Sequence, residues 1–279
     1  MSSKKTRIML WSAIVVVLGV IAILGVTLFQ RLQPQNASEV IADVEWYSLE
    51  EKEFVITTAE EMEDISKLSQ FCDFSGQTIK LGADIVFNEG DANDWGEHAP
   101  ETKSRSIRNF KGTFDGQGHT ISGYYSKGYD GNAGLFTNTD KAAVIQDFKI
   151  VNSYIEAIGT SGLGSVASGM NVGGTFRRIY SDAILVTDGD NVGGIVGEVR
   201  FDTTIEECWY DGELNSSGWC LGGIIGEARR SRQIYVKHCL MTGEINSTYD
   251  GPNKYESSRV GGNIGYLRQT GRPYAIIDD

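Results

Sequence analysis

The 279-residue sequence predicts an all-β protein, coiled as a parallel β-solenoid and preceded by a single transmembrane helix. Three observations support this prediction. A glycine-rich phrase recurs about every 30 residues, a second phrase recurs in step with it, and an uncharged apolar stretch stands near the N-terminus. A unit of this length with short strands cannot bury an apolar face alone, so neighbouring units must stack.

The glycine-rich phrase occurs five times, with its central small residues separated by 30, 30, 29 and 39 residues. Near-constant spacing is typical of a stacked repeat, and glycine at an inner corner allows positive φ or close backbone approach. The longer last interval contains residues 247–258, whose composition predicts an extruded loop. The five central residues are Gly134, Gly164, Gly194, Gly223 and Gly262.

The second phrase aligns without gaps in residues 144–155, 175–185, 204–214 and 235–245, and its alternating apolar positions predict short strands. Equivalent residues form apolar columns, which strands stacked about 4.8 Å apart would bury as a continuous core. The columns are Ile145, Phe176, Ile205 and Val236; Phe148, Ile179, Cys208 and Cys239; and Leu185, Leu214 and Ile245.

The apolar segment near the N-terminus predicts a membrane anchor. Residues 8–29 contain no charged side chain, and as a helix they would span about 33 Å, enough for a bilayer core. A cleaved signal peptide has a shorter apolar region of about 7–15 residues, and a buried core helix is the remaining alternative. Basic residues Lys4, Lys5 and Arg7 favour a cytoplasmic N-terminus. The predicted segments are a cytoplasmic tail (1–7), a single-pass anchor in contact with lipid (8–30), a linker (31–45) and an extracellular remainder.

The charge distribution argues against nucleic acid as a partner. All 37 acidic residues stand at or after Glu39, whereas four of the 25 Lys and Arg residues precede it. An acidic exterior repels phosphate backbones. Solubility outside the cell explains this acidity, and binding of cations or basic ligands is the alternative.

Residues 110–125, FKGTFDGQGHTISGYY, are followed by AGLF at 133–136 and by the repeated glycine phrases. In this order the motifs resemble the GLUG-repeat family, which carries a GTFDGNGHTISG-like phrase, then GLFG and GGIVG units. The resemblance covers about residues 50–279 and departs from the pattern at Ser165 and at the TDGD sequence. It implies a right-handed parallel β-helix of bacterial surface proteins, including adhesins and the non-catalytic repeat regions of IgA-peptidase-like enzymes. The resulting assignment gives residues 46–83 to an N-terminal segment with a capping helix and residues 84–279 to the β-helix.

Residues 58–71 predict an amphipathic helix that covers the open strand edge of the first coil. Thr58 and Glu61 have the spacing of a capping box at the helix start. The apolar face of this helix is predicted to contain Met62, Ile65, Leu68 and Phe71.

Some parallel β-helices are polysaccharide lyases or glycoside hydrolases, so acidic pairs are candidate catalytic residues. Asp182 and Asp211 occupy equivalent positions in neighbouring coils and would lie about 5 Å apart, near the carboxylate separation of retaining glycosidases. An Asp before a small residue also forms ordinary turns. The pairs Glu198–Arg200 and Glu227–Arg229 are equivalent to each other and predict an exposed, charge-paired face.

Calcium is the one metal that the sequence suggests. Asp188, Asp190 and Asn191 offer oxygen ligands, although a turn accounts for the same residues. No histidine spacing predicts another metal site, and no other cofactor is expected.

The four cysteines do not predict a disulfide. Cys208 and Cys239 share a column and are expected to form a buried thiol stack, because the sheet spacing is wider than a disulfide prefers. Cys72 and Cys220 have no evident partner in the repeat, and the redox state of all four stays open.

The leading functional hypothesis is a non-enzymatic, membrane-anchored, extracellular surface protein for adhesion, ligand binding or assembly. Its ligand would be an extracellular protein or glycan, contacted by the extruded loop and by aromatic side chains. The candidate contact residues are Tyr249, Lys254, Tyr255, Trp209, Tyr210 and Trp219, of which Trp219 fits a core position equally well. The alternatives are a small carbohydrate-active enzyme or sugar-binding module that uses Asp182 and Asp211, and a subunit of a membrane-embedded homo-oligomeric assembly.

Overall fold

The computed structural model describes residues 37–128, 133–229, 233–249, 259–268 and 274–278. The chain divides into two compact units, Met1–Asp43 and Val44–Asp279.

In the first unit the described residues form one short helix, α1 (Ala37–Ala42), which lies within the predicted linker. The predicted cytoplasmic tail, residues 1–7, and the predicted anchor, residues 8–30, lie outside the described residues. Among the helices of the described ranges, none has the length and apolar character that a bilayer crossing requires. The anchor therefore stays a prediction from the sequence.

The described part of the second unit is mostly β-structure. Its first elements are β1 (Glu53–Ile56), α2 (Ala59–Leu68), β2 (Thr78–Leu81), β3 (Ile85–Val86), a short 3-10 helix (Ala92–Asp94), β4 (Ile107–Phe110), β5 (Thr113–Asp115), β6 (Thr120–Ser122), β7 (Tyr125–Gly128), β8 (Phe136–Thr139), β9 (Val144–Val151), β10 (Tyr154–Ala157), β11 (Ala167–Ser168) and β12 (Val172–Ser181). The later strands are β13 (Ile184–Thr187), β14 (Val192–Gly193), β15 (Val196–Glu206), β16 (Trp209–Tyr210), β17 (Glu213–Ser216), β18 (Cys220–Gly222), β19 (Ile225–Arg229), β20 (Gln233–Lys237), β21 (Leu240–Met241), β22 (Glu244–Ser247), β23 (Arg259–Gly261), β24 (Ile264–Arg268) and β25 (Tyr274–Asp278).

These strands pair in parallel with their equivalents in the next coil. The clearest stack is the side sheet, in which β7, β10, β13, β17 and β22 lie in this order. Its register joins Tyr154 to Ile184 and Leu185 to Leu214, so that paired residues stand 30 and 29 positions apart. The predicted parallel β-solenoid with coils of about 30 residues is confirmed, and its right-handedness stays a prediction.

The apolar columns predicted from the second phrase form the core, except that Cys239 and Ile245 at the ends of two columns are only half-buried. Phe176 pairs with Ile145 on one side and with Ile205 on the other, and Ile205 pairs with Val236. All four side chains are buried. Towards the N-terminal end of the stack the core is aromatic. Three ring pairs, Phe110–Phe136, Phe136–Phe114 and Phe114–Phe148, have centroids 5.1–5.4 Å apart.

The repeated glycines allow close approach between coils rather than positive φ. A Cβ atom on Gly194 would lie 2.2 Å from the carbonyl oxygen of Gly223 and 2.2 Å from Cγ of Tyr210. A Cβ atom on Gly223 would lie 2.2 Å from the carbonyl oxygen of Gly262. Neither Gly194 nor Gly223 has a positive φ. Glycine is required here because the backbone of the next coil occupies the space of a side chain.

The predicted capping helix is α2, and its capping box is present. The Glu61 N–H donates to Thr58 Oγ1 at 3.2 Å, and the Thr58 N–H donates to Glu61 Oε2 at 3.0 Å. The helix packs on β4, whose other edge pairs with β8, so it covers the first strand of this stack. The sequence prediction was wrong about Phe71, which follows the Ser69 C-cap and is exposed.

Candidate functional site

The candidate site is a groove on the side of the solenoid, where three successive coils turn a corner. Asp182 follows β12, Asp211 follows β16, and Thr242 follows β21. Because Ser181 pairs with Tyr210 and Tyr210 pairs with Met241, these three residues stack on neighbouring coils, as predicted for the two acids. The groove has a volume of about 470 Å³ and is lined by Asn93, Asp182, Ile184, Asp211, Gly212, Glu213, Thr242, Gly243 and Glu244.

An exposed tryptophan stands beside this groove. Trp209 is 41% exposed although it lies within a strand. Its ring meets the ring of Tyr180 edge to face, with centroids 5.1 Å apart, and its Nε1–H donates to Thr242 Oγ1 at 2.7 Å. The indole is therefore held in one orientation by both of its flanking coils.

A hydrogen-bond network connects the tryptophan to the acids. The Thr242 hydroxyl, which accepts from Trp209, donates to Asp211 Oδ1, and the Tyr180 hydroxyl approaches Asp211 Oδ2 at 3.5 Å. Asp182 Oδ1 accepts from the backbone N–H of Asn152 at 2.7 Å. We call this combination of Trp209, Tyr180 and the lining acids the acidic–aromatic groove.

Burial makes the two stacked acids unequal. Partial burial raises the pKa of Asp182, the N–H of Asn152 opposes this rise, and the neighbouring Asp211 adds to it. Burial and the two carboxylates also raise the pKa of Tyr180. A carboxyl group with a raised pKa beside a second carboxylate is an arrangement that acid–base catalysis can use.

We expect Asp182→Asn to stabilise the protein at neutral pH. The pKa of Asp182 is higher in the folded state, so the group stabilises the fold fully at pH values below the usual pKa range of Asp. This stabilisation is lost as the pH rises through the folded-state pKa. The side-chain amide oxygen of the new Asn can still accept from the Asn152 N–H. The variant should therefore unfold at a higher denaturant concentration than the parent at pH 7, and at the same concentration near pH 3. Exposed Asp94→Asn controls for general charge relief, and an equal gain from both variants would contradict the prediction.

The other predicted contact residues have different environments. Trp219 is half-buried, and its ring lies 6.2 Å from that of Tyr266. Tyr249 is half-buried, whereas Lys254 and Tyr255 lie outside the described residues.

Tyr210 is not a surface residue, and this prediction was wrong. Its side chain is buried, and its hydroxyl donates to the carbonyl oxygen of Ala183 at 2.9 Å. Neighbouring residues of a strand point to opposite faces, so the exposure of Trp209 places Tyr210 in the core. Burial raises the pKa of the Tyr210 phenol well above its ordinary value.

The candidate calcium ligands form inter-coil turn contacts. Asp188 Oδ1 accepts from the N–H of Gly159, and Asp190 Oδ1 accepts from the N–H of Trp219. Asn191 is buried at a positive φ of 64°. The described part of the chain contains no cluster of three or more His, Cys, Asp or Glu side chains arranged to hold a metal ion.

The Glu–Arg pairs are not the exposed face that the sequence predicted. Glu198 and Glu227 are only 1% and 0% exposed, whereas Arg200 and Arg229 are partly exposed. Glu198 is held by Arg200 Nε at 2.5 Å and by the side-chain amide of Asn191 at 2.8 Å. The carboxylates point inward because their strand positions face the interior, and each arginine covers them from the surface.

Cys208 and Cys239 lie on neighbouring coils as predicted, but only Cys208 is buried. Cys208 is buried, which raises the pKa of its thiol, and Cys239 is half-buried. A hydrogen bond with Cys208 lowers the pKa of Cys239. None of the four described cysteines, Cys72, Cys208, Cys220 and Cys239, forms a disulfide in the structure.

The fold defines this chain as a parallel β-solenoid, and the comparisons with known proteins do not assign it to a family. No protein-family model matches the chain. It is 33% identical to Halomucin from Haloquadratum walsbyi (strain DSM 16790 / HBSQ001) over 100 residues, which are 35% of this chain and 1% of that protein. A crystal structure of a "putative immunoglobulin A1 protease" from Bacteroides ovatus is similar at 17% identity and a TM-score of 0.48, over 70% of this chain and 68% of the other. Membership of the GLUG-repeat family stays a prediction from the motifs.

Proposed function

We propose that this chain is a non-enzymatic, membrane-anchored surface protein whose extracellular, right-handed β-helix binds a glycan in the acidic–aromatic groove. The apolar segment at residues 8–30 and the acid excess after Glu39 support the anchoring and the location. The observation that carries the binding function is the exposed ring of Trp209, fixed beside a polar groove.

This groove has the chemistry that a sugar requires. A rigid aromatic face offers the apolar surface on which the C–H face of a sugar ring packs, at little cost in conformational entropy. Carboxylate oxygens of Asp182, Asp211, Glu213 and Glu244 are acceptors for sugar hydroxyls, and such charge-assisted hydrogen bonds are short and strong. Because the acids repel anions, the preferred ligand is a neutral or amino sugar.

We expect Trp209→Ala to weaken glycan binding by at least about tenfold, since buried aromatic contacts dominate binding energies. The full-length chain in non-ionic detergent would be screened on a glycan array, and the affinity of its best neutral ligand measured by calorimetry. Phe201→Ala is the matched control, because Phe201 is equally exposed at 41%. Unchanged affinity in Trp209→Ala, or equal losses in both variants, would contradict the proposal.

The carbohydrate-active enzyme is the second candidate, favoured by the raised pKa of Asp182 beside Asp211. In this case Asp182→Asn would abolish release of sugars from a polysaccharide panel while the bound ligand is retained. A binding protein would release no sugar in either form. Activity that the variant loses would replace the first proposal with this one.

A further inference from the structure

A second cleft, of about 490 Å³, lies between the C-terminal half of α2 and strands β4 and β7. We call it the basic cleft, and its chemistry is opposite to that of the acidic–aromatic groove. It is lined by Ser66, Gln70, Lys103, Ser104, Arg105, Ser106, Arg108, Ser126, Lys127 and Gly128.

Three cations in this cleft form no salt bridge within the described ranges. Lys103, Arg105 and Arg108 are exposed, and the salt bridges within the described ranges include none of them. The fourth cation, Lys127, pairs with Glu156 at 2.8 Å. Four basic side chains around one cleft make this surface locally positive in a protein with a net charge of −12.

Backbone hydrogen bonds to α2 hold the two arginines in place. The Arg108 N–H donates to Ser69 Oγ at 2.9 Å, and the Arg105 N–H donates to Glu63 Oε1 at 3.1 Å. The guanidinium groups are therefore presented from a backbone segment that is fixed at both ends against the helix. Preorganisation of this kind lowers the entropic cost of binding.

Buried serines form a polar floor. The Ser66 hydroxyl donates to the carbonyl oxygen of Ser106 at 2.9 Å, and the Ser106 hydroxyl donates to the carbonyl oxygen of Gly134 at 2.6 Å. Ser104 Oγ accepts from the N–H of Tyr125 at 3.3 Å. The floor is thus rigid and hydrophilic, and none of its lining residues in the described ranges carries an aromatic ring on which a nucleobase could stack.

Three features oppose an anion, namely the C-terminus of α2 and the carboxylates of Glu63 and Glu156. The C-terminus of α2 contributes a partial negative charge of about half a unit, and its last carbonyls are already capped by Ser69. Glu63 accepts a hydrogen bond from the Arg105 N–H, and Glu156 already pairs with Lys127. With Glu63 and Glu156 against four cations, the cleft keeps an excess of positive charge.

We propose that the basic cleft binds an anionic saccharide of one or two units that bears sulfate or carboxylate groups. Arginine forks match these planar or trigonal oxyanions through paired hydrogen bonds, and Gln70 and Lys103 reach the sugar hydroxyls. The volume, which falls within the usual range of small-molecule sites, exceeds the need of a bare ion. This site is independent of the acidic–aromatic groove and of its proposed ligand.

The test uses the full-length chain in non-ionic detergent and a sulfated, uronate-containing disaccharide from chondroitin sulfate. Calorimetry should detect binding that weakens as salt rises, while lactose does not bind and sodium sulfate competes only at much higher concentration. Arg105→Gln and Arg108→Gln should each raise the dissociation constant about tenfold, and Lys149→Gln, an exposed cation elsewhere, should leave it unchanged.

Glu63→Gln tests whether the ligand of the basic cleft is an anion. Its amide oxygen can still accept from the Arg105 N–H, and loss of the negative charge should tighten binding severalfold. The proposal is overturned by equal competition from sodium sulfate, by equal losses in the arginine variants and Lys149→Gln, or by no binding of the disaccharide. Trp209→Ala should leave this affinity unchanged, which separates failure here from failure of the groove.

Discussion

Phe136→Ala is expected to lower the free energy of unfolding by about 3–5 kcal/mol, the usual cost of removing a buried phenyl ring. Phe136 is fully buried, and its ring lies 5.1 Å from that of Phe110 and 5.3 Å from that of Phe114. Its strand, β8, pairs with β4 on one side and β11 on the other. The cavity would therefore open where coils meet, and the rigid backbone ladder gives little scope for collapse.

Chemical denaturation of the full-length chain, followed by the β-sheet circular dichroism signal, measures this loss. Phe136→Leu should cost less, because most of the buried volume is retained. Phe201→Ala removes an equally large ring that is 41% exposed and should cost below about 1 kcal/mol. Equal losses in Phe136→Ala and Phe201→Ala would contradict the stacked aromatic core.

The sequence predicted the coil length and the core columns because the same local signals recur in every coil. Ile145, Phe176 and Ile205 stand in register in the structure as they do in the alignment. The helix start was also predictable, since the Thr58–Glu61 capping box depends on a spacing of three residues. Features fixed by short-range spacing are therefore visible without a structure.

One bend that recurs in each coil carried no such signal. Asp147, Arg178, Glu207 and His238 occupy equivalent positions and all have positive φ, from 51° to 62°. Glycine or asparagine would have marked this conformation in the sequence, but four different side chains adopt it here. The stacked neighbours impose the bend on each coil, so its geometry is a tertiary property.

The candidate sites also combine features that the repeat predicts with features that depend on tertiary contacts. The stacking of Asp182 and Asp211 followed from the repeat, whereas the hydrogen bond from Trp209 to Thr242 depends on side-chain orientations in two coils. The basic cleft was not predicted at all, because residues 103–108 and helix α2 lie outside the repeated phrases. The wrong prediction of an exposed Glu–Arg face has a similar cause, since alternation alone does not say which face is buried.

The second large effect is expected where Glu198 and Glu227 are buried. Arg229→Met should lower the free energy of unfolding by about 3–5 kcal/mol. Arg229 Nη2 lies 2.8 Å from Glu227 Oε2, so the two groups form an ion pair. Arg229 Nε also lies 3.7 Å from Glu198 Oε1 in the preceding coil. Its removal leaves two buried carboxylates with Arg200 as their remaining salt-bridge partner within the described ranges, and an uncompensated buried charge is costly.

Arg178→Met is the matched control for this prediction. Arg178 Nε and Nη2 contact Asp147 at 2.5 and 2.7 Å, but both side chains are accessible to water, so its loss should cost below about 1 kcal/mol. The double variant Glu227→Gln/Arg229→Met should recover most of the stability, because the unpaired charge disappears with its partner. If Arg229→Met costs no more than Arg178→Met, or if the double variant recovers nothing, the inward ion pair does not stabilise the stack as argued.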